Sequence, residues 1–296
     1  MAFSASDAAF EGFRLAREHP RAIGLWSLIF FAYNLVSSAL LIAMAGEALA
    51  EFLALGQAGA AADPERMMAL FAQLAPANLL AGLLTLAVYA VLFAAIARAV
   101  LQPTQSARGF LRLGADEGRQ FVVLLVLSLA SLALMFLITV VASFAAVIVG
   151  AASAPVGGLL SALGMVGMVV AVLWLWGRMS LAGPMTLDAG RISLVNAWTL
   201  ARGRGWLLCG ALFLAVVLAA IVALLCMMIF AAVVAVAFGG AEVARLMFSP
   251  DFSSLQAYFT PAMIVWNAAG AVVNVLVLAI VAGMGARAYA ELRRGG

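Results

Sequence analysis

The sequence predicts an all-α integral membrane protein with six transmembrane helices. Three observations predict it. Of 296 residues, 67% are hydrophobic and only 10% are charged, against about 25% charged in an ordinary soluble domain. The charges are segregated, which leaves uncharged runs at 22–46, 67–97, 120–177, 205–241 and 252–286. The arginines fall almost entirely on one side of the spans those runs imply. A soluble fold of this length cannot bury so much apolar surface, and a disordered chain needs low hydrophobicity, so neither class fits.

About 20 apolar residues cross a hydrocarbon core of about 30 Å, and four of the runs hold one helix each. The run 120–177 would reach about 87 Å as a single helix at 1.5 Å per residue. It must turn, and Ala152-Ser153-Ala154-Pro155-Val156-Gly157-Gly158 supplies the breakers. The predicted spans are 22–45, 77–99, 120–147, 156–180, 206–238 and 262–287.

Six spans put both termini on one side. That side holds fourteen arginines, and only Arg66 and Arg245 lie opposite. The positive-inside rule makes the termini cytoplasmic. Basic charge carried by Arg with no Lys suggests a GC-rich bacterial source, and hence a bacterial inner (plasma) membrane. A basic inner face suits anionic lipid headgroups, and no nucleic-acid partner is implied. Ala43-Met44-Ala45 matches a small-x-small cleavage site, but the apolar stretch before it is too long for a signal peptide. Asp7, Glu11 and Glu18 precede that stretch, so an uncleaved first span is expected.

Before each odd-numbered span lies a short stretch with an aromatic residue, apolar residues and Arg: Phe13–Arg17, Phe110–Gly114 and Trp198–Arg202. That composition fits a helix lying in the cytoplasmic interface. The even-numbered spans share a register. Asn78, Ala81, Thr85 and Arg98 match Asn267, Gly270, Asn274 and Arg287 without a gap, and Gly158, Ser161 and Arg178 keep the same spacing. Asn78 to Arg98 is about 30 Å of helix, one bilayer core. The expected fold is three tandem hairpins, each preceded by an interfacial amphipathic helix. They form a single membrane domain over 1–296, with repeat units of approximately 4–101, 104–182 and 189–290. Parallel repeats of this kind relate by an axis along the membrane normal. In the outer loops, Asp63-Pro64-Glu65 predicts a short helix closed by Pro76, and Ser249-Pro250-Asp251 a second closed by Thr260-Pro261.

Candidate functional residues are few. No charge lies near a span centre, where ion-coupled transporters carry theirs. The polar stripe Asn267, Gly270, Asn274 lies on one helix face, with Thr85 at the matching position and Asn34, Ser37 and Ser38 as prospective partners. It either lines a solute or lipid path or makes interhelical hydrogen bonds. Gly150, Ala154, Gly158 and Ala162 form a small-residue packing series. Five tryptophans near the inner boundary, with Trp266 near the outer, read as an interfacial belt. His19 has no partner for a metal site, and Cys209 and Cys226 are spaced as buried thiols rather than a redox pair. No phosphate loop or nucleophile elbow is present. No cofactor and no catalytic set are expected.

The stretch 178–206 carries Arg178, Ser180, Leu181, Pro184, Asp188, Ala197, Trp198, Leu200, Arg202 and Gly203. It resembles the membrane domain attached to some bacterial glycerophosphodiester phosphodiesterases and related six-helix bacterial membrane proteins. Their pattern is Arg-x-Ser-Leu-Ala-x-Pro, an acid, then Ala-x-x-x-Ser/Asn-aromatic-x-Leu-x-Lys/Arg-Gly. The resemblance implies a membrane module without an activity of its own. Its catalytic domain is not expected, since the chain ends shortly after Arg287. Asp188 is expected to pair with Arg191 or Arg178 and fix the interfacial helix to the fourth span. The functional expectation is a non-enzymatic scaffold or partner module, with a membrane-protein partner or a homo-oligomer. The alternative is a carrier or channel for a small solute or lipid.

Overall fold

The computed structural model describes residues 4–57, 63–104, 106–151, 153–238, 240 and 249–294. Arg245, counted on the outer side, and Ala152 of the predicted third turn lie outside the described residues. Among those described, the chain forms helices and no strand. They are α1 (Ala5–Ala9), α2 (Glu11–Glu18), α3 (Pro20–Gln57), α4 (Pro64–Leu101), α5 (Ala115–Gly150), α6 (Ala154–Met179), α7 (Ala182–Ala189), α8 (Leu194–Leu200), α9 (Gly205–Phe238), α10 (Leu255–Tyr258) and α11 (Pro261–Arg294). Six helices are long and apolar enough to cross a membrane, as a multi-pass membrane protein requires.

Helix starts follow local chemistry. Ser4 caps α1 by accepting from the Asp7 N–H at 3.3 Å. Asp116 and Glu117 sit in the first turn of α5, where the helix dipole favours negative charge. Ser153 in extended conformation precedes α6, with Pro155 in its first turn. Ser254 caps α10 by accepting from the Ala257 N–H at 3.1 Å.

Several boundaries differ from expectation. The first span ends where predicted only in the sense that Ala45 leaves helical geometry (φ −153°, ψ 24°), and α3 then continues to Gln57. Pro76 does not close a separate loop helix; it lies inside α4. Proline removes one N–H bond and crowds the carbonyl four residues back, yet its φ is helical. Leu74 and Ala77 on either side of it are buried together against Ala45, so packing holds the helix through the proline. The second predicted loop helix is the single turn α10, beginning at Leu255.

The interfacial stretches also diverge. Helices occupy the first and third, as α2 and α8. The middle stretch is not a helix. A 3-10 turn covers Ala107–Phe110, and residues 111–113 carry no regular structure. Arg108, Gly109 and Phe110 all have positive φ (51°, 64° and 63°), which is strained for the two that carry side chains. Helix α7 was not anticipated, since the fourth span was expected to lead directly to the third interfacial stretch.

The chain divides into two compact units. The first comprises Met1–Glu18, Ala90–Leu218 and Leu278–Gly296. Its core includes Leu92, Ile96, Phe110, Val123, Leu181, Leu208 and Met284. Glycines set several of its contacts. Gly12 of α2 lies against the backbone of Ile280 in α11, and a Cβ there has no room. A Cβ on Gly177 falls 2.9 Å from Cys209 Cα, and one on Gly285 falls 2.6 Å from the Ser180 carbonyl oxygen. The α5–α6 seam closes at Gly157, where a Cβ falls 2.7 Å from Gly150 Cα, and at Gly164 against Ala142. Of the predicted small-residue series, Gly150 lies in this seam, but Gly158 has nothing near it and Gly157 makes the contact instead.

The second unit comprises His19–Tyr89 and Ala219–Val277. Ile42, Val234, Tyr258, Met263 and Trp266 form one buried cluster. Trp26 and Trp266 are core residues, 1% and 9% exposed, while Trp206 is 76% exposed. The expected tryptophan belt therefore divides between packing and surface. Cys209 and Cys226 are free and only half-buried.

Candidate functional site

In the second unit, the polar stripe is drawn into hydrogen bonds with tyrosines. The Tyr33 hydroxyl lies 2.6 Å from Thr85 Oγ1, which also donates to the Ala81 carbonyl at 2.7 Å. The Tyr258 hydroxyl lies 3.2 Å from Ser38 Oγ and accepts from Asn267 Nδ2 at 3.4 Å. Asn267 also donates to the Met263 carbonyl at 2.8 Å. Tyr258 is stacked on Phe252, with ring centroids 5.2 Å apart. Asn274 stands apart: its side chain is exposed and donates to its own helix at the Gly270 carbonyl (2.8 Å). Asn34 is half-buried in α3. Asn267 and Ser38 are thus joined through Tyr258, and Thr85 is joined to Tyr33. Neither tyrosine was singled out from the sequence, although Tyr33 stands next to Asn34 and Tyr258 lies nine residues before Asn267.

In the first unit, the three span-end arginines at shared register have three different partners. Arg98 is 2% exposed and donates from Nη2 to Glu117 Oε1 at 2.5 Å and from Nη1 to the Phe110 carbonyl at 3.1 Å. Asp116 lies 3.5 Å from the same Nη2 and accepts from Arg119 at 2.6 Å. Arg287 pairs with Glu291, one helical turn on, at 2.7 Å. Arg178 has no carboxylate partner among the described residues. Its guanidinium lies over the Trp198 ring, 3.8 Å from the centroid, and 5.3 Å from the Trp174 centroid. The two indoles meet edge-on at 5.6 Å. The Arg178 Nε is buried with no hydrogen-bond partner.

This corrects the expected pairing of Asp188. Its carboxylate accepts from the Tyr289 hydroxyl and from Arg293 Nη1, each at 2.7 Å. Asp188 therefore fastens α7 to α11, not to α6. The reason is placement: α7 carries Asp188 away from the end of α6, and the α11 C-terminal turns supply both a cation and a hydroxyl. Pro184 is buried within α7. Gly203 takes a left-handed φ of 75° in the turn before α9, a conformation that favours glycine. Arg202 is exposed beside it. Of the motif residues, Arg178 and Trp198 come together, and Asp188 does not join them.

A cavity of about 60 Å³ lies among α4, α5, α6, α7, α9 and α11, lined by Phe93, Gln120, Trp176, Gly183 and Gly285. That is room enough for ordered water. Trp176 Nε1 donates to Ser131 Oγ at 2.9 Å beside it, tying α6 to α5. No family model, curated protein or solved structure matches the chain.

Proposed function

We propose that the chain is a non-enzymatic scaffold or partner module of a bacterial inner membrane, with cytoplasmic termini and the short helices in the inner interface. Its six spans then form three tandem hairpins of one orientation. The resemblance of residues 178–206 to the phosphodiesterase-attached membrane domains supports a module that works beside other proteins. One observation carries the reading: the α5–α6 hairpin presents a long apolar surface. From Leu132 to Val170, Gly157 is the only buried residue among those described.

Light scattering and cross-linking of the purified full chain in nanodiscs test this. A homo-oligomer or a stoichiometric complex with a native membrane protein is expected. A stable monomer that recruits nothing overturns it. Topology is checked separately with single cysteines at Ala60 and Ala290 in a background lacking Cys209 and Cys226. Labelling is expected from outside and inside respectively.

The exposed amide of Asn274 favours a second reading, a carrier or channel for a small solute or lipid. Reconstituted vesicles then show flux that falls when Asn274→Leu is introduced, and no flux for solutes or lipids removes it.

A further inference from the structure

A guanidinium cannot lose water without gaining partners for its charge. Arg98, Arg287 and Arg293 each gain a carboxylate. Arg178, in the last turn of α6, gains two indole faces instead, and its nearest acid in sequence, Asp188, is taken by Arg293 and Tyr289. The aromatic contact is attractive but leaves the charge unneutralised. The guanidinium carbon sits 3.8 Å from the Trp198 centroid, and the buried Nε has no hydrogen-bond partner. A guanidinium without a carboxylate keeps a fork of donors that suits two oxygens of one phosphate. Tryptophan beside arginine at a span end is also where lipid headgroups sit.

We propose that Arg178, clamped by Trp174 and Trp198, binds the phosphodiester of one anionic phospholipid. Arg202 and Arg204, exposed in the turn that follows Trp198, add positive field that favours an anionic over a zwitterionic headgroup. The inference rests on the reading above, that α6 spans a bilayer and ends in the headgroup layer.

The test uses the full-length chain, delipidated in mild detergent and titrated with phosphatidylglycerol or phosphatidylcholine, with native mass spectrometry counting bound lipid. One phosphatidylglycerol is expected to be retained at about tenfold lower concentration than phosphatidylcholine, the scale of the field that one or two nearby arginines exert on an anionic headgroup. Arg178→Gln is expected to raise by about tenfold the concentration at which either lipid is retained, the scale of a charge-assisted hydrogen bond, and Arg294→Gln, at an exposed cation of α11, to leave retention unchanged. Equal retention of the two lipids by the unaltered chain overturns the proposal without recourse to any variant. So does undiminished retention of both lipids in Arg178→Gln. Inorganic phosphate that displaces the lipid at equal concentration assigns the site to the free anion and overturns it as well. The same spectra report the mass of the protein assembly. A multimer that persists without lipid preference therefore fails this inference alone, and a monomer with intact preference fails only the scaffold reading.

Discussion

Arg98 Nη2 and Glu117 Oε1 lie 2.5 Å apart, joining α4 to the first turn of α5, with both side chains almost wholly buried. Removing Glu117 leaves Arg98 with only Asp116, 3.5 Å away and shared with Arg119, and the Phe110 carbonyl. Glu117→Ala is expected to destabilise the chain by about 3 kcal/mol, the low end of the range for breaking a buried ion pair, because Asp116 offsets part of the charge. The double replacement Arg98→Met with Glu117→Leu should recover most of that loss. Denaturant unfolding of the detergent-solubilised chain measures both. A double variant no better than the single one contradicts the account.

Arg98 also holds the Phe110 carbonyl, at the end of a turn with three successive positive φ values. In Glu117→Ala the guanidinium loses its closest anchor and keeps only the longer contact to Asp116, so proteolytic cleavage within residues 106–114 should accelerate. Unchanged cleavage would show that the turn holds its strained shape unaided.

The tyrosine hydroxyls make only modest bonds. A double-mutant cycle with Tyr33→Phe and Thr85→Val should give a coupling of about 0.6 kcal/mol and no more than about 1.7, the range for hydrogen bonds between membrane helices. Tyr258→Phe should be more harmful than Thr85→Val, because Tyr258 contacts both Ser38 and Asn267. Thr85→Val proving the more harmful of the two would place the main bond elsewhere.

Glycines on α11 should separate by what faces them. Gly285→Ala brings a Cβ to 2.6 Å from the Ser180 carbonyl oxygen, whereas Gly270→Ala meets nothing within 4 Å. Overpacking against backbone costs about 1–3 kcal/mol. Gly270→Ala is expected to be neutral or slightly stabilising, since alanine is the better helix former. Thermal melts of the two variants side by side decide it.

Asp188→Asn should matter locally. Arg293 is largely exposed, and an exposed ion pair contributes about 1 kcal/mol or less. The melting temperature should scarcely move, while amide exchange in residues 288–294 should quicken as the last turns of α11 come loose from α7. Protection equal to that of the unaltered chain would mean that packing of Tyr289 and Leu292 alone holds them.

The six long helices were legible because charge is excluded from their central stretches. Runs without Asp, Glu or Arg report span positions directly, and α9 and α6 begin within two residues of the expected starts. The partners of the arginines were not legible. Arg98, Arg178 and Arg287 share a register, yet one meets an acid on the next helix, one meets two indoles and one meets an acid a turn along its own helix. Register places a side chain at a depth; which neighbour shares that depth is decided by helix rotation and by connecting segments such as α7. The network around Tyr258 was hidden similarly. A tyrosine in an apolar stretch reads as hydrophobic until a folded neighbour supplies a partner for its hydroxyl. Pro76 misled because proline ends helices in water more readily than in a packed apolar bundle, where flanking contacts such as Leu74 and Ala77 hold the path.

The close fit of Gly12 against Ile280 joins two helices that lie far apart along the chain. Ser4 adds to it, its N–H donating to Glu291 at 3.4 Å. A ribosome delivers α2 long before its seat exists, so the segment must wait while all six long apolar helices, the last of which carries Ile280, are threaded. Contacts of such sequence separation form late. A bulky tag fused just ahead of Ser4 should therefore leave insertion of the early helices intact and selectively hinder the final docking step, making the amino terminus a reporter of whether assembly has finished.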